Sequence, residues 1–171
     1  KRTVEGDLGT YLNAGPLASL IGHGVLEREL GVDPVPLLSD WPPIPQTDSQ
    51  QALAARLARE AGSLAVRRHA GNLREVFLPE GRRRYAQGKD LTEAGTLIAT
   101  GGALTRLDGR LGILVALRDL NTAGKMLYPK PGALRVLSDR HYLMAALGTL
   151  SREHPQAALH LMLDSLREET L

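Results

Sequence analysis

Apolar positions recur at helical spacing in four parts of the chain. Leu17, Leu20, Ile21 and Val25 predict a helix, with Gly31 standing where a C-terminal cap belongs. Leu53, Leu57, Ala61 and Leu64 share one face for about four turns and predict a long helix that ends near Gly71. Thr47 or Asp48 can cap this helix, and Thr47 with Gln50 has the spacing of a capping box. Leu143, Ala146, Leu147 and Leu150 form a third stripe, with Asp139 as its candidate cap. Leu159, Met162, Leu163 and Leu166 form the fourth, predicted as a buried stripe, and Pro155 suits the first turn of that helix.

Between these stripes the pattern changes. Five of the ten prolines fall between Pro34 and Pro45, the clearest linker in the chain, and Pro42-Pro43-Ile44-Pro45 excludes both helix and central strand. Asn72 to Gly88 reads as irregular or short elements and carries the run Arg82-Arg83-Arg84. Thr96-Leu97-Ile98-Ala99 predicts a short buried strand that opens into Thr100-Gly101-Gly102, with a helix from Ala103 onward. Leu111 to Leu120 fits a strand or a helix. Leu134 to Leu137 predicts another strand, bounded by Pro131-Gly132 and Ser138-Asp139. The chain has no internal repeat and no low-complexity tract.

Composition supports the helical bias. The 171 residues include 32 Leu and 20 Ala but one Phe and one Trp, so the core is aliphatic and helix is favoured over strand. Together with the two strand signals this defines a helix-rich α/β domain. So few aromatics argue against a stacking platform for single-stranded nucleic acid. The net charge is only +2, although 17 of the 21 basic residues are Arg, and this balance is too small to imply nucleic acid or a membrane surface as partner. The absence of cysteine excludes disulfides, thiolate metal sites and cysteine nucleophiles, and suits a cytoplasmic protein. Leu8 to Leu26 is uncharged, but Asn13, Pro16, His23 and four glycines interrupt it, so it is no membrane span of roughly 20 apolar residues. No signal peptide is visible. The first residue is Lys1, not Met, which predicts a fragment of a longer protein.

The best ligand site by chemistry is the turn formed by Thr100, Gly101, Gly102 and Ala103. Paired glycines between a strand and a helix let backbone approach a ligand closely, and a helix N-terminus favours anionic or polar groups. The turn matches neither GxGxxG nor GxxxxGK[ST], so a tight structural turn is the competing reading. Arg67-Arg68-His69 ends the long helix, where cations complement the helix dipole or, alternatively, hold a ligand in a cleft. Glu5 and Asp7 flank Gly6 and could share a turn near magnesium or water. The five histidines, His23, His69, His141, His154 and His160, have no metal-ligand spacing, and there is no GxSxG nucleophile elbow. No catalytic residue and no metal ligand is assigned from these patterns.

Several strings in order resemble one family. They are Lys1-Arg2-Thr3-Val4-Glu5-Gly6-Asp7-Leu8-Gly9, Arg68-His69-Ala70-Gly71, Gly88-Lys89-Asp90-Leu91-Thr92, Ile98-Ala99-Thr100-Gly101-Gly102-Ala103-Leu104, and the tail from Tyr142-Leu143-Met144-Ala145-Ala146-Leu147-Gly148 to Pro155-Gln156-Ala157-Ala158-Leu159. Together they resemble the C-terminal part of the glutamate mutase L family, and nothing resembles the ATP-binding motifs of the mismatch-repair ATPase that shares its short name. The resemblance implies one lobe (residues 1–171) of an actin-like ATPase of ribonuclease H-like fold. A helical segment would cover about 13–88, and a nucleoside-binding strand-turn-helix segment about 94–171. Ile98 to Leu104 is then similar to the adenosine motif, although Ala99 stands where a glycine is more usual. Val4-Glu5-Gly6-Asp7 resembles the segment re-entering the cleft after the second phosphate loop, and Arg68 and His69 would face adenine or ribose. The implied ligands are ATP and ADP, with magnesium in the longer parent. The implied role is that of an accessory or reactivating factor for a cobalamin-dependent carbon-skeleton mutase, with a mutase subunit as partner and no nucleic acid or membrane. The oligomeric state is left open. The phosphate loops would lie upstream of Lys1, so this chain alone is not expected to hydrolyse ATP. The rival expectation is a protein-docking module whose glycine turn is purely structural.

Overall fold

The structure, a computed structural model, describes residues 3–171. Its first helices are short because glycine interrupts them. α1 (Ala14–Ile21) ends where Gly22 takes φ +96°, and α2 (His23–Leu30) ends at Gly31, which takes the left-handed φ of +71°. The proline-rich stretch, expected as a linker, contains α3 (Pro34–Ser39). Pro34 and Pro36 both lie in its first turn, where an amide has no intrahelical partner to lose, and Asp33 Oδ1 accepts the Val35 amide at 2.9 Å. Pro42 to Pro45 is irregular, and there Trp41 Nε1 donates to the Thr10 carbonyl at 3.0 Å.

α4 (Asp48–His69) is the long helix, and its capping box is complete. Thr47 Oγ1 accepts the Gln50 amide at 3.3 Å, while Gln50 Oε1 accepts the Thr47 amide at 3.2 Å. Thr47→Ala should cost about 1 kcal/mol. Denaturant unfolding at neutral pH checks this, and the conservative Thr47→Ser should restore most of the loss.

The chain then differs from its sequence pattern. The stretch expected to be irregular or short elements forms an antiparallel hairpin of β1 (Asn72–Leu78) and β2 (Gly81–Gln87), turning at Pro79-Glu80 with Gly81 at φ +120°. Apart from half-buried Leu73 and Leu78, every hairpin residue is exposed. With neither face covered, the strands carry no alternation of apolar and polar residues, and that alternation is what marks a strand in sequence.

β3 (Thr96–Ala99) forms where the pattern predicts a buried strand, but only Ala99 is buried and Ile98 is exposed, and only four helical residues follow it as α5 (Gly102–Thr105). The ambiguous stretch is helical, as α6 (Arg110–Arg118). β4 (Arg135–Asp139) runs parallel to β3 and lies in the centre of a three-stranded sheet. Two helices follow, α7 (Met144–Leu150) and α8 (Pro155–Ser165), and β5 (Leu166–Glu168) returns antiparallel to β4. The predicted stripe of α8 is not buried: Leu159 and Leu163 are exposed, and its buried residues are Ala158 and Ser165. Leu150 of α7 is also exposed, so these helices turn leucines outward.

α4 joins the two halves because it has two apolar faces. Leu53, Leu57 and Ala61 pack with Leu17, Ala18 and Leu26 of the N-terminal helices. Ala54 and Ala58 pack with Ile113 and Leu117 of α6. Small residues permit that second contact: Gly62 faces Leu117, and a Cβ on Gly109 would lie 2.8 Å from Ala55 Cβ. On the other side of α6, Leu114 packs on Ala99 and Val136 of the sheet.

Candidate functional site

The C-terminal end of α4 meets the chain's first described residues. Arg68 Nη1 donates to Glu5 Oε2 at 2.8 Å and to both Asp7 oxygens at 2.9 and 2.8 Å. These bonds to Glu5 and Asp7 hold the Arg68 pKa above its ordinary value, and the bond to Arg68 holds the Asp7 carboxyl below its own. Asn13 Nδ2 donates to the Gly6 carbonyl at 2.9 Å, which fixes the turn between the two acids. Glu5 and Asp7 thus flank one turn, and the group they share is the Arg68 guanidinium where the sequence suggested magnesium or water.

His69 faces elsewhere. Lys89 Nζ donates to His69 Nδ1 at 3.0 Å and to Thr3 Oγ1 at 3.1 Å, and the Thr3 hydroxyl lies against the same ring nitrogen. Lysine can only donate, so Nδ1 is the unprotonated nitrogen. Burial, followed by the Lys89 charge, holds the His69 pKa below its ordinary value.

Thr3, Glu5 and His69, with Lys89 adjoining through its bonds to Thr3 and His69, form the polar mouth of a cavity of about 340 Å³. Its walls are mostly apolar, built from Val66 of α4, Leu97 of β3, and Leu91, Tyr128 and Leu134 from the connections. Tyr128 is held rigidly. Its hydroxyl donates to the Leu117 carbonyl at 3.1 Å, and Asn121 Nδ2 donates to the Tyr128 carbonyl at 2.7 Å. Burial pushes the Tyr128 phenol up, so it stays a neutral wall.

The predicted site residues therefore fall into two groups. Glu5, Asp7, Arg68 and His69 come together, and of these only Glu5 and His69 line the cavity. Thr100, Gly101, Gly102 and Ala103 lie at the far end of β3 and do not line it. Gly101 takes φ +97°, and a Cβ on Gly101 or Gly102 would meet nothing within 4 Å, so the turn is open. Its helix is only four residues long, which leaves little of the dipole expected there. Ala103 packs inward against the α4–α6 core. Thr100 Oγ1 donates to Asp139 Oδ2 at 2.9 Å.

Sequence reasoning did not assign Lys89, Leu91, Leu97, Tyr128 or Leu134 to the site. The string around Lys89 resembled the family but carried no chemical signal, and Tyr128 stood out only as one of four tyrosines in an aromatic-poor chain. Among the described residues no group of three or more His, Asp or Glu side chains could hold a metal ion, and no helix is long and apolar enough to cross a membrane.

Fold and site together define a mixed α/β protein with a small apolar cavity under a charged mouth. The family model described as MutL protein matches residues 1–166, so the chain belongs to the MutL family, the glutamate mutase L family that its motifs resemble. It is 29% identical over 170 residues to Protein MutL of Clostridium tetanomorphum, an alignment covering 95% of this chain and 36% of the relative. The chain thus spans about a third of that relative's length. No solved structure matches it.

Proposed function

We propose that this chain is the nucleoside-binding part of an actin-like accessory ATPase that serves a cobalamin-dependent carbon-skeleton mutase. The observation that carries the reading is the cavity. Apolar walls from Tyr128, Leu134, Leu91 and Leu97 suit a heteroaromatic base, while Thr3, Glu5 and His69 at the mouth, with Lys89 bonded to Thr3 and His69, offer polar groups to a ribose. Its volume lies at the lower end of the range of about 300–1,000 Å³ for small-ligand sites. The open Gly101–Gly102 turn supports the reading, because Leu97 of the same strand lines the cavity roughly 10 Å before Thr100. A ligand touching both places is longer than a base.

Bound ATP would supply the free energy for closing and reopening the lobes. This chain's own part is to hold the nucleoside. His69 accepts from Lys89 at Nδ1 and holds that ammonium beside the mouth. Arg68 acts through Glu5 and Asp7: it ties the first described segment to α4 and so keeps one wall of the mouth in place. The coupling to a mutase is mechanical in this reading, a two-state motion biased by nucleotide and read by the partner.

Titration of a fluorescent adenosine nucleotide into the chain tests the site. Lys89→Ala and Gly102→Val should each weaken binding about tenfold, or 1.4 kcal/mol, without shifting the unfolding midpoint. Unchanged affinity in both variants, or no saturable binding by the parent chain, removes the assignment.

One observation favours a second reading, a protein-docking module with a purely structural glycine turn. Leu159 and Leu163 of α8 are exposed where a solvated helix would carry polar residues. Capture of a mutase subunit without nucleotide, abolished by Leu163→Glu, would favour this reading.

A further inference from the structure

The β1–β2 hairpin is an arm with an open edge and one electrostatically uncompensated face. Its base is held: Leu73 donates its amide to the Lys125 carbonyl at 2.8 Å, and Asn72 bridges to Met126. Beyond the base, the outer edge of β2 pairs with no other strand among the described residues. The single Phe of the chain, Phe77, stands 78% exposed near the tip.

Register and alternation sort the side chains onto two faces. Glu75, Arg84, Phe77 and Arg82 share one face, where Glu75 Oε1 accepts Arg84 Nε at 3.0 Å and its other oxygen pairs with Arg82. These bonds hold the Glu75 carboxyl below its ordinary pKa, the Arg82 bond first. On that face one carboxylate is shared by two arginines, which leaves a net charge of +1. Arg74, Tyr85, Val76 and Arg83 share the other face. There, neither arginine has an acidic partner among the described residues, and Val76 and Tyr85 lie exposed between them.

We propose that the hairpin captures an extended acidic segment of another protein, which adds as a strand to the free edge of β2. Backbone pairing would supply affinity, and a carboxylate opposite Arg83 with an apolar side chain beside Tyr85 would supply specificity. A second copy of this chain meets charge repulsion in the register centred on Arg83. Antiparallel pairing of β2 with itself about Arg83 sets Arg82 against Arg84, and like charges directly opposite each other destabilise a sheet. Nucleic acid fits poorly, because two free arginines are far fewer than the roughly 6–10 phosphate contacts of a typical binder.

The probe is a labelled peptide of about ten residues in which Glu and Val take turns at every second position with Thr between them, so that one face carries both, titrated into the full chain by fluorescence anisotropy. Its controls are the Lys-for-Glu counterpart, two versions N-methylated on alternate amides, and a single-stranded oligonucleotide of equal length. The acidic peptide should bind, weaken with salt, and lose about tenfold on R74E/R83E. One of the N-methylated peptides should fail, since only one set of amides can face β2. The variants lie on exposed positions, so an unchanged circular dichroism spectrum shows that they fold. Absence of binding at low salt overturns the proposal. So does equal binding by R74E/R83E, by both methylated peptides or by the Lys peptide, or tighter binding of the oligonucleotide. The outcome is independent of nucleotide affinity, which depends on Lys89 and not on this face.

Discussion

Asp139→Ala should lower stability by about 3–4 kcal/mol, the largest single effect expected in this chain. Asp139 is fully buried, yet every acceptor site is used. Ser165 Oγ donates at 2.5 Å and Thr100 Oγ1 at 2.9 Å, and the amides of Leu143 and Met144 donate at 3.1 and 2.9 Å. One carboxylate thus ties the glycine turn after β3, the end of β4, the start of α7 and the end of α8. Removing it leaves two hydroxyls and two amides without a partner in a dry site. Burial alone would raise its pKa, but these four bonds overcome that and hold the value at about 2. A depressed folded-state pKa adds stability above the unfolded value near 4, and that stability is lost as pH falls toward 2. The contribution is about 2 kcal/mol. Denaturant unfolding of the parent and Asp139→Asn should therefore show a gap that is constant above about pH 5 and narrows below pH 4. A gap independent of pH, or a loss under about 1 kcal/mol for Asp139→Ala, would contradict this account.

Gly71→Ala should cost about 2–3 kcal/mol, although alanine is usually a mild replacement. A Cβ there would lie 2.6 Å from the Gln87 carbonyl oxygen, 2.8 Å from Gly88 C and 2.8 Å from Leu127 Cδ1. Two of these three atoms are backbone and cannot swing away. The same approach is what lets Gly71 donate to the Lys89 carbonyl at 2.7 Å and accept the Leu127 amide at 2.7 Å. The substitution would therefore loosen Lys89 and the cavity mouth along with the hairpin base. Thermal unfolding measures the first effect. Hydrogen exchange at the Leu127 amide measures the second, with faster exchange expected in the variant. Exchange and midpoint both unchanged would mean that the two backbones do not approach so closely.

The residues that were legible in sequence share one property: their pattern is written in a single local element. The Thr47–Gln50 capping box, the Leu53–Leu57–Ala61 stripe, the Gly31 cap, the β3 strand and Pro155 at the start of α8 each depend on neighbours within a turn or two. Asp139 was legible in part, since its capping of α7 follows from spacing, whereas Thr100 and Ser165 reach it from 39 and 26 residues away. The hairpin was not legible, because strand patterning records burial on one face and this hairpin buries neither. The α8 stripe misled for the converse reason. Leucines at helical spacing specify a helical face, not what covers it.

For the site, sequence chemistry picked out Glu5, Asp7, Arg68 and His69 one by one but could not join them, since 61 and 63 residues separate Arg68 from its two carboxylates. Nor could it find Lys89, whose significance is the ring nitrogen it meets. By itself the sequence determined the aliphatic, helix-rich character of the chain, the punctuation of its helices and its membership of the MutL family, all properties of composition and local order. Only the tertiary structure decided which face of each element is covered, that the end of α4 and not the glycine turn borders the cavity, and that the arginine run lies on an arm rather than in the core. Those outcomes depend on contacts between distant segments, and no local pattern encodes which distant surface arrives.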